Sequence, residues 1–106
     1  MKNNFIVIKT TYPNLTEAKN LAKILLEKNL AACVQFQEID SSYIWDEKIK
    51  NDKEILLNIK TVNKLYQLIE EIIKNHHPYQ VPQIYSIKIE QGFEPYFSWI
   101  ESICTK

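Results

Sequence analysis

Two segments of this chain share one helical spacing of apolar residues, and each lies between segments that alternate as β-strands do. The first stripe is Ala18, Leu21, Ala22 and Leu25; the second is Leu65, Leu68, Ile69 and Ile72, within about Asn63 to Asn75. Residues three, four and seven apart share one face of a helix, so each stripe predicts an amphipathic helix. Helices with one apolar face need a sheet or another helix to pack against.

Four segments have the alternation or β-branched content of strands. They are Asn4 to Thr11, Ala31 to Trp45, the segment around Ile55, Leu57 and Ile59, and the segment around Tyr85, Ile87 and Ile89. A short polar turn, Asp46-Glu47-Lys48, joins the second and third as a hairpin. The predicted order is therefore β-α-β-β-α-β.

Residues at the predicted element ends agree with this order. Asn14 with Glu17 forms a helix-capping pair, and Asn29 tolerates the left-handed backbone that ends a helix. His77 before Pro78 ends the second helix, because a residue before proline is driven out of the helical region. Pro95 begins a third helix, whose stripe is Tyr96, Trp99, Ile100 and Ile103. The fold class is α+β, a ferredoxin-like split βαβ sandwich with a C-terminal helix, in a single domain over residues 1–106.

Composition excludes several functions. Thirteen basic residues, all lysine, balance thirteen acidic ones, so a strongly electrostatic nucleic-acid partner is not expected. Gly92 is the one glycine, which excludes Gly-rich phosphate loops, and no organic cofactor is expected. The apolar run Phe5 to Ile8 is too short for a signal peptide or a membrane span. Cys33 and Cys104 lack CxxC spacing, which favours a cytoplasmic protein with reduced thiols.

The first strand predicts a second apolar surface. Phe5 and Val7 lie on one face and Ile6 and Ile8 on the other, whereas two helices cover only one face of such a sheet. The uncovered face and the aromatic hairpin arms favour a subunit interface. The alternative is that the third helix folds back over this face.

His76 and His77 are the candidate metal ligands, because neutral imidazole suits Cu(II), Zn(II) and Ni(II). Adjacent residues do not face the same way on a helix or a strand, so one ion reaches both only where the backbone bends. The other interpretation is that the pair caps the helix C-terminus, where a cationic histidine meets the negative end of the dipole. The residues alone leave both interpretations open.

The remaining candidates favour structural roles. Cys33 lies among apolar strand residues and is expected to pack, and Cys104 is assigned no role. The run Glu47 to Glu54 mixes both charge signs, as a solvated hairpin tip does. Tyr79, Gln80 and Gln83, which follow the histidines, either line a cleft between subunits or simply pack a rigid loop. No catalytic spacing of serine, cysteine or histidine is present, so an enzyme is not expected.

Six segments, in this order, resemble a known family. They are Lys9-Thr10-Thr11-Tyr12-Pro13, Leu30-Ala31-Ala32-Cys33-Val34, Ser42-Tyr43-Ile44-Trp45, Ile59-Lys60-Thr61, His77-Pro78-Tyr79-Gln80-Val81-Pro82-Gln83-Ile84 and Tyr96-Phe97-Ser98-Trp99-Ile100. Over about Phe5 to Ile103 the chain is similar to the CutA family of divalent-cation tolerance proteins. The resemblance implies a PII-like homotrimer in the cytoplasm that binds copper or another divalent metal ion through His76 and His77. The alternative function is a PII-like signalling trimer that binds a small molecule or a protein without a physiological metal.

Two positions depart from the family pattern. Glu47 lies where family members commonly have a glycine, and a left-handed backbone there would strain it by about 1 kcal/mol. Thr10 lies where some bacterial members have a metal-binding cysteine. Because a hydroxyl binds soft metals far less well than a thiolate, the remaining ligands of a metal at His76 and His77 are left open.

Overall fold

The computed structural model describes residues 4–105 and contains one antiparallel sheet with helices packed against it. Its elements are β1 (Phe5–Tyr12), α1 (Leu15–Glu27), β2 (Cys33–Trp45), β3 (Lys48–Val62), α2 (Tyr66–His76), β4 (Ile84–Lys88) and α3 (Glu94–Cys104). A one-turn 3₁₀ helix, Asn63–Leu65, leads into α2. The strand order is β2-β3-β1-β4, which confirms the ferredoxin-like split βαβ arrangement. Residues 1–3 and 106 of the expected domain lie outside the described residues.

The main core lies between the sheet and the helices α1 and α2. Side chains from both layers are fully buried there: Ile8, Leu57 and Ile59 from the strands, and Leu21, Leu25, Ile69 and Ile73 from the helices. The predicted cap is confirmed, because the Asn14 side chain accepts a hydrogen bond from the Glu17 backbone N–H at 2.9 Å. Asn29 ends α1 with a positive φ of 56°. Together these contacts fix the length and direction of α1.

The apolar stripe of α2 differs from the prediction at one position. Leu68 is 50% exposed, and Ile73 is buried in its place. Around an α-helix adjacent residues lie about 100° apart and residues four apart about 40° apart, so Ile69 and Ile73 share the buried side of α2 while Leu68 lies towards solvent.

α3 packs against one end of the sheet and forms a second, smaller core. This cluster contains Ala32, Val62, Ile100 and Cys104, and the Phe97 ring stacks on Phe5 with 4.4 Å between centroids. The buried thiol is therefore that of Cys104, whereas Cys33, expected to pack in the core, is only half-buried.

The sheet face opposite α1 and α2 is only partly covered by α3. Lys60, on this face of β3, donates a hydrogen bond to the Tyr96 hydroxyl of α3 at 3.3 Å. Tyr85 and Ile87 of β4 nevertheless remain 45% and 48% exposed. The third helix thus folds back over one end of the open face and leaves the rest of that face exposed.

β2 and β3 form a long hairpin that extends beyond the rest of the sheet. Their pairing is continuous from Cys33 opposite Lys60 to Trp45 opposite Lys48. The two turn residues, Asp46 and Glu47, both have positive φ, 52° and 61°. Two positive φ angles are characteristic of a type I′ turn, which favours Asn-Gly or Asp-Gly. Glu47 therefore does adopt the left-handed backbone considered above.

Within residues 4–105, no helix combines the length and the apolar character needed to cross a membrane.

Candidate functional site

The two histidines lie where α2 ends and the chain turns towards β4. His76 is the last residue of α2, and His77 has an extended backbone with φ −73° and ψ 138°. Pro78 imposes this change, because the helical conformation of the preceding residue clashes with the proline ring. The backbone thus bends between the two histidines, and their rings have different partners.

Both ring nitrogens of His77 have hydrogen-bond partners. The backbone N–H of Tyr79 donates to Nδ1 at 3.1 Å. Since Nδ1 accepts, the proton of the neutral ring is on Nε2, which donates to the carbonyl oxygen of Thr11 at 2.6 Å. The ring also stacks on Tyr12, with centroids 4.2 Å apart, and contacts the Tyr79 ring at 4.8 Å. Coordination of a metal by His77 would break at least one of these hydrogen bonds.

Burial favours the neutral form of His77. It lowers the pKa of the imidazole below its usual value, against the opposing effect of the hydrogen bond to Thr11. A neutral ring is the form required for the pair of hydrogen bonds described above. His77 therefore anchors the loop after α2 to the end of β1.

His76 is placed differently. Its Nδ1 lies 2.9 Å from the hydroxyl of Tyr12, a side chain that is fully buried. Burial raises the pKa of Tyr12, so its hydroxyl stays protonated at neutral pH. When Nδ1–H donates to this hydroxyl, Nε2 carries a free lone pair. A metal-binding histidine commonly uses this arrangement, with one nitrogen on the metal and the other held by a second group.

The described residues of one chain supply an incomplete metal site. Residues 4–105 contain no group of three or more histidine, cysteine, aspartate or glutamate side chains placed to hold an ion together. Thr10 is fully buried, and its hydroxyl has no hydrogen-bond partner within the described residues. The donor set thus fits a metal through His76 Nε2 only when water or another subunit supplies further ligands.

A cleft of about 740 Å³ lies beside the loop that His77 anchors. Its lining comes from the end of β1, from the middle of β3, from the arm of β2 and from the loop: Thr11, Glu54, Asp40, Ser41, Ser42, Tyr43, Trp45, Tyr79, Val81, Pro82 and Gln83. The Tyr79 hydroxyl donates to Glu54 at 2.9 Å and so ties the loop to β3. Burial, followed by this hydrogen bond, raises the pKa of Tyr79.

The sequence predicted some of the residues that line this cleft. Tyr79 and Gln83 line it, whereas Gln80 is exposed and is not among its lining residues. Glu54 was assigned to a solvated hairpin tip, but it is half-buried and bonded to Tyr79. Strand alternation could have indicated this, because Glu54 lies opposite Ile39 on one face of the hairpin. Tyr12, which lies beside His76, belongs to the first family-like segment and ends the predicted strand, but neither feature indicated a contact with His76.

The fold and site define a small ferredoxin-like α+β protein with paired histidines at the end of its second helix. The family model described as CutA1 divalent ion tolerance protein matches residues 6–103, and the chain belongs to that family. The chain is 39% identical over 94 residues to Protein CutA of Mus musculus, covering 88% of this chain and 53% of that protein.

Solved structures show the same fold over nearly the whole chain. Crystalline CutA1 from the psychrotrophic bacterium Shewanella sp. SIB1 has a TM-score of 0.93 and 36% identity, with 100% of both chains covered. The structure of the periplasmic divalent cation tolerance protein CutA from Archaeoglobus fulgidus has a TM-score of 0.91 and 37% identity, covering 97% of this chain and 99% of that one. By contrast, the chain spans about half the length of the curated mammalian relatives that it matches.

Proposed function

We propose that this protein acts in tolerance to divalent cations as a cytoplasmic homotrimer that binds Cu(II) or another divalent ion, with His76 as the ligand from each chain. Family membership supports the general role. The observation that carries the residue assignment is the contrast between the histidines: His77 uses both ring nitrogens, whereas His76 uses Nδ1 alone among the described residues. The proposed role is binding rather than catalysis.

Imidazole nitrogen favours Cu(II) over the other divalent first-row ions, so copper is the ion proposed first. His76 would hold it through Nε2, with Tyr12 fixing the ring from the other side. His77 would keep the loop in place and contribute no ligand. Thr10 adds no thiolate, so we expect weaker copper binding than in relatives that have a cysteine at this position.

The homotrimer is supported by apolar surface that a single chain leaves uncovered. Ile44 and Ile49, near the hairpin tip, are 75% and 74% exposed, and the open sheet face exposes Tyr85 and Ile87. Exposed apolar surface of this extent is typical of a subunit interface. Light scattering during size exclusion should give three times the mass of one chain. A stable monomer at micromolar concentration would contradict this part of the proposal.

The metal assignment is tested by titrating Cu(II) into protein purified without a histidine tag, using calorimetry. His76→Gln should abolish or strongly weaken binding, because it removes the nitrogen donor. His77→Gln is the matched control and should retain most of the affinity. Equal loss in the two variants would make both histidines ligands, and unchanged binding in the double variant would remove the metal from this site.

A second function, small-molecule binding by a PII-like trimer without a physiological metal, is favoured by a separate observation. The 740 Å³ cleft lies within the range of 300–1,000 Å³ typical of small-molecule sites. A ligand that stabilises metal-free protein against unfolding would support it.

A further inference from the structure

The hydrogen bond between Tyr12 and His76 can run in either direction, and its direction decides which nitrogen of the imidazole carries the proton. We infer that the Tyr12 hydroxyl donates to Nδ1 of His76 in the metal-free protein, which makes Tyr12 a positioning residue that keeps the proton on Nε2. This inference rests on the metal site proposed above, because Nε2 is the nitrogen assigned to the metal. His76 must therefore exchange one tautomer for the other before it can bind an ion.

The first argument concerns the hydroxyl proton of Tyr12. Burial raises the pKa of Tyr12, so the hydroxyl keeps this proton at neutral pH. The side chain is fully buried within one chain, so neither bulk solvent nor a second subunit supplies an acceptor. Among the described residues, the hydroxyl has one hydrogen-bond partner, Nδ1 of His76 at 2.9 Å. If Nδ1–H were the donor, the Tyr12 proton would be buried without an acceptor, which is costly.

The second argument concerns the other ring nitrogen of His76. Within residues 4–105, the Thr10 hydroxyl is the one buried side-chain oxygen or nitrogen without a hydrogen-bond partner. Nε2 of the half-buried His76 has no partner among these residues either, so it must retain contact with solvent. Water can accept a proton from Nε2–H. The Nε2–H tautomer thus satisfies both groups, whereas the Nδ1–H tautomer leaves the hydroxyl proton of Tyr12 unpaired.

The consequence of this tautomer is a cost to metal binding. Nε2 has a free lone pair only after it releases its proton to water and Nδ1 takes one up, so the charge of the ring does not change. The hydrogen bond then reverses: Nδ1–H donates, the Tyr12 oxygen accepts, and the Tyr12 proton loses its acceptor. Burying one unpaired hydroxyl proton corresponds to about a tenfold loss of affinity. Tyr12 thus holds the His76 ring in place and at the same time weakens its donor.

The tautomer can be measured directly in the metal-free protein. Long-range proton–nitrogen correlation spectra distinguish a protonated ring nitrogen from an unprotonated one by its nitrogen chemical shift. The spectra are recorded on the full chain with a chelator at about pH 8, above the usual pKa of imidazole, and His76→Gln assigns the two rings. We expect His76 to be protonated on Nε2. His77 is an internal reference, because the Tyr79 N–H donates to its Nδ1 and fixes the same tautomer.

Two tyrosine variants test the role of the hydroxyl. Tyr12→Phe removes it and keeps the ring that stacks on His77, with centroids 4.2 Å apart. His76 should then show the averaged shifts of a mixture of tautomers, and calorimetry should show Cu(II) binding about tenfold more tightly than in the parent. Tyr66→Phe is the matched control, since it removes a hydroxyl that donates to Glu70 at 2.8 Å and contacts neither histidine. It should leave the tautomer and the affinity unchanged.

Three results would overturn the inference. They are protonation of His76 on Nδ1 in the metal-free parent, full protonation on Nε2 in Tyr12→Phe, and copper binding that is equal or weaker in Tyr12→Phe. The last result would make the hydroxyl a support for the metal-bound ring. If Tyr12→Phe does not assemble as the parent does, the spectrum of the parent decides alone. If the parent binds no copper, the proposed metal site fails, whereas the tautomer in the metal-free protein still decides this inference.

Discussion

Thr10 and Thr61 offer a matched test of how a buried hydroxyl affects stability. Both side chains are fully buried on neighbouring strands. The Thr61 hydroxyl donates to the Leu30 carbonyl oxygen at 2.7 Å, whereas the Thr10 hydroxyl has no hydrogen-bond partner within the described residues. Valine has nearly the same shape as threonine, without the hydroxyl. The same substitution should therefore change the free energy of unfolding in opposite directions at the two positions.

The magnitudes follow from these contacts. Burying an unpaired hydroxyl costs about 1–3 kcal/mol, so Thr10→Val should raise the free energy of unfolding by about 1–2 kcal/mol. Thr61→Val removes a hydrogen bond and leaves the Leu30 carbonyl without this donor. This change should lower the free energy of unfolding by about 1–2 kcal/mol. The difference between the two variants should thus be at least about 2 kcal/mol.

Guanidinium unfolding followed by circular dichroism measures this difference. All variants are compared at one protein concentration, because assembly adds to apparent stability. If the free energy of unfolding depends on guanidinium concentration with the same slope in all variants, their unfolded states are comparable. If Thr10→Val proves as destabilising as Thr61→Val, the Thr10 hydroxyl has a partner in solution, and the argument from its burial fails.

Three further predictions concern the backbone, the packing of α3 and a titrating group. Glu47→Gly should stabilise the protein by about 0.5–1 kcal/mol in thermal or chemical unfolding, since glycine adopts positive φ without strain; Glu90→Gly, at negative φ, should do the reverse. Gly92→Ala should lower the free energy of unfolding by about 1–3 kcal/mol, because a Cβ there would lie 2.5 Å from the Phe97 ring. An unchanged melting temperature would show that this ring can move. Burial lowers the pKa of His77 in the folded state, so the neutral ring stabilises the fold fully above about pH 6.5. This stabilisation is lost as the pH falls through the folded-state pKa. His77→Gln should remove this part of the pH dependence of the free energy of unfolding.

The sequence predicted the features of the fold that depend on local patterns. Asn14 caps α1, Asn29 ends it and Pro78 ends α2, each through a backbone preference of the residue itself. The prediction for Leu68 was wrong because Leu68, Ile69, Ile72 and Ile73 are all apolar, so their spacing allows two neighbouring faces of α2 to be the buried one. Tertiary packing decides which of the two faces meets the sheet.

The details of the site were beyond sequence reasoning for a different reason. His76 contacts Tyr12, 64 residues earlier in the chain, and His77 bonds Thr11, 66 residues earlier, in addition to the nearby backbone of Tyr79. The pairing of Glu54 with Tyr79 likewise spans 25 residues. Such contacts form only when the ends of β1 and α2 meet the middle of β3 in the folded chain. The residue types show that imidazoles and tyrosines are present, but not which of their nitrogen and oxygen atoms have hydrogen-bond partners.

The asymmetry between the histidines follows from a single neighbour. Pro78 forces His77 out of the helix, and the extended backbone carries its ring to the Thr11 carbonyl oxygen. His76 remains helical, so its ring meets the Tyr12 hydroxyl through one nitrogen only. Two adjacent residues of identical chemistry thereby acquire different surroundings: His77 holds a loop through both ring nitrogens, whereas His76 has a hydrogen-bond partner among the described residues at Nδ1 alone. Under the proposed assignment each chain supplies one imidazole nitrogen, so the remaining ligands of a bound metal would come from water or from another subunit. Metal affinity that falls when the subunits dissociate would identify the second source.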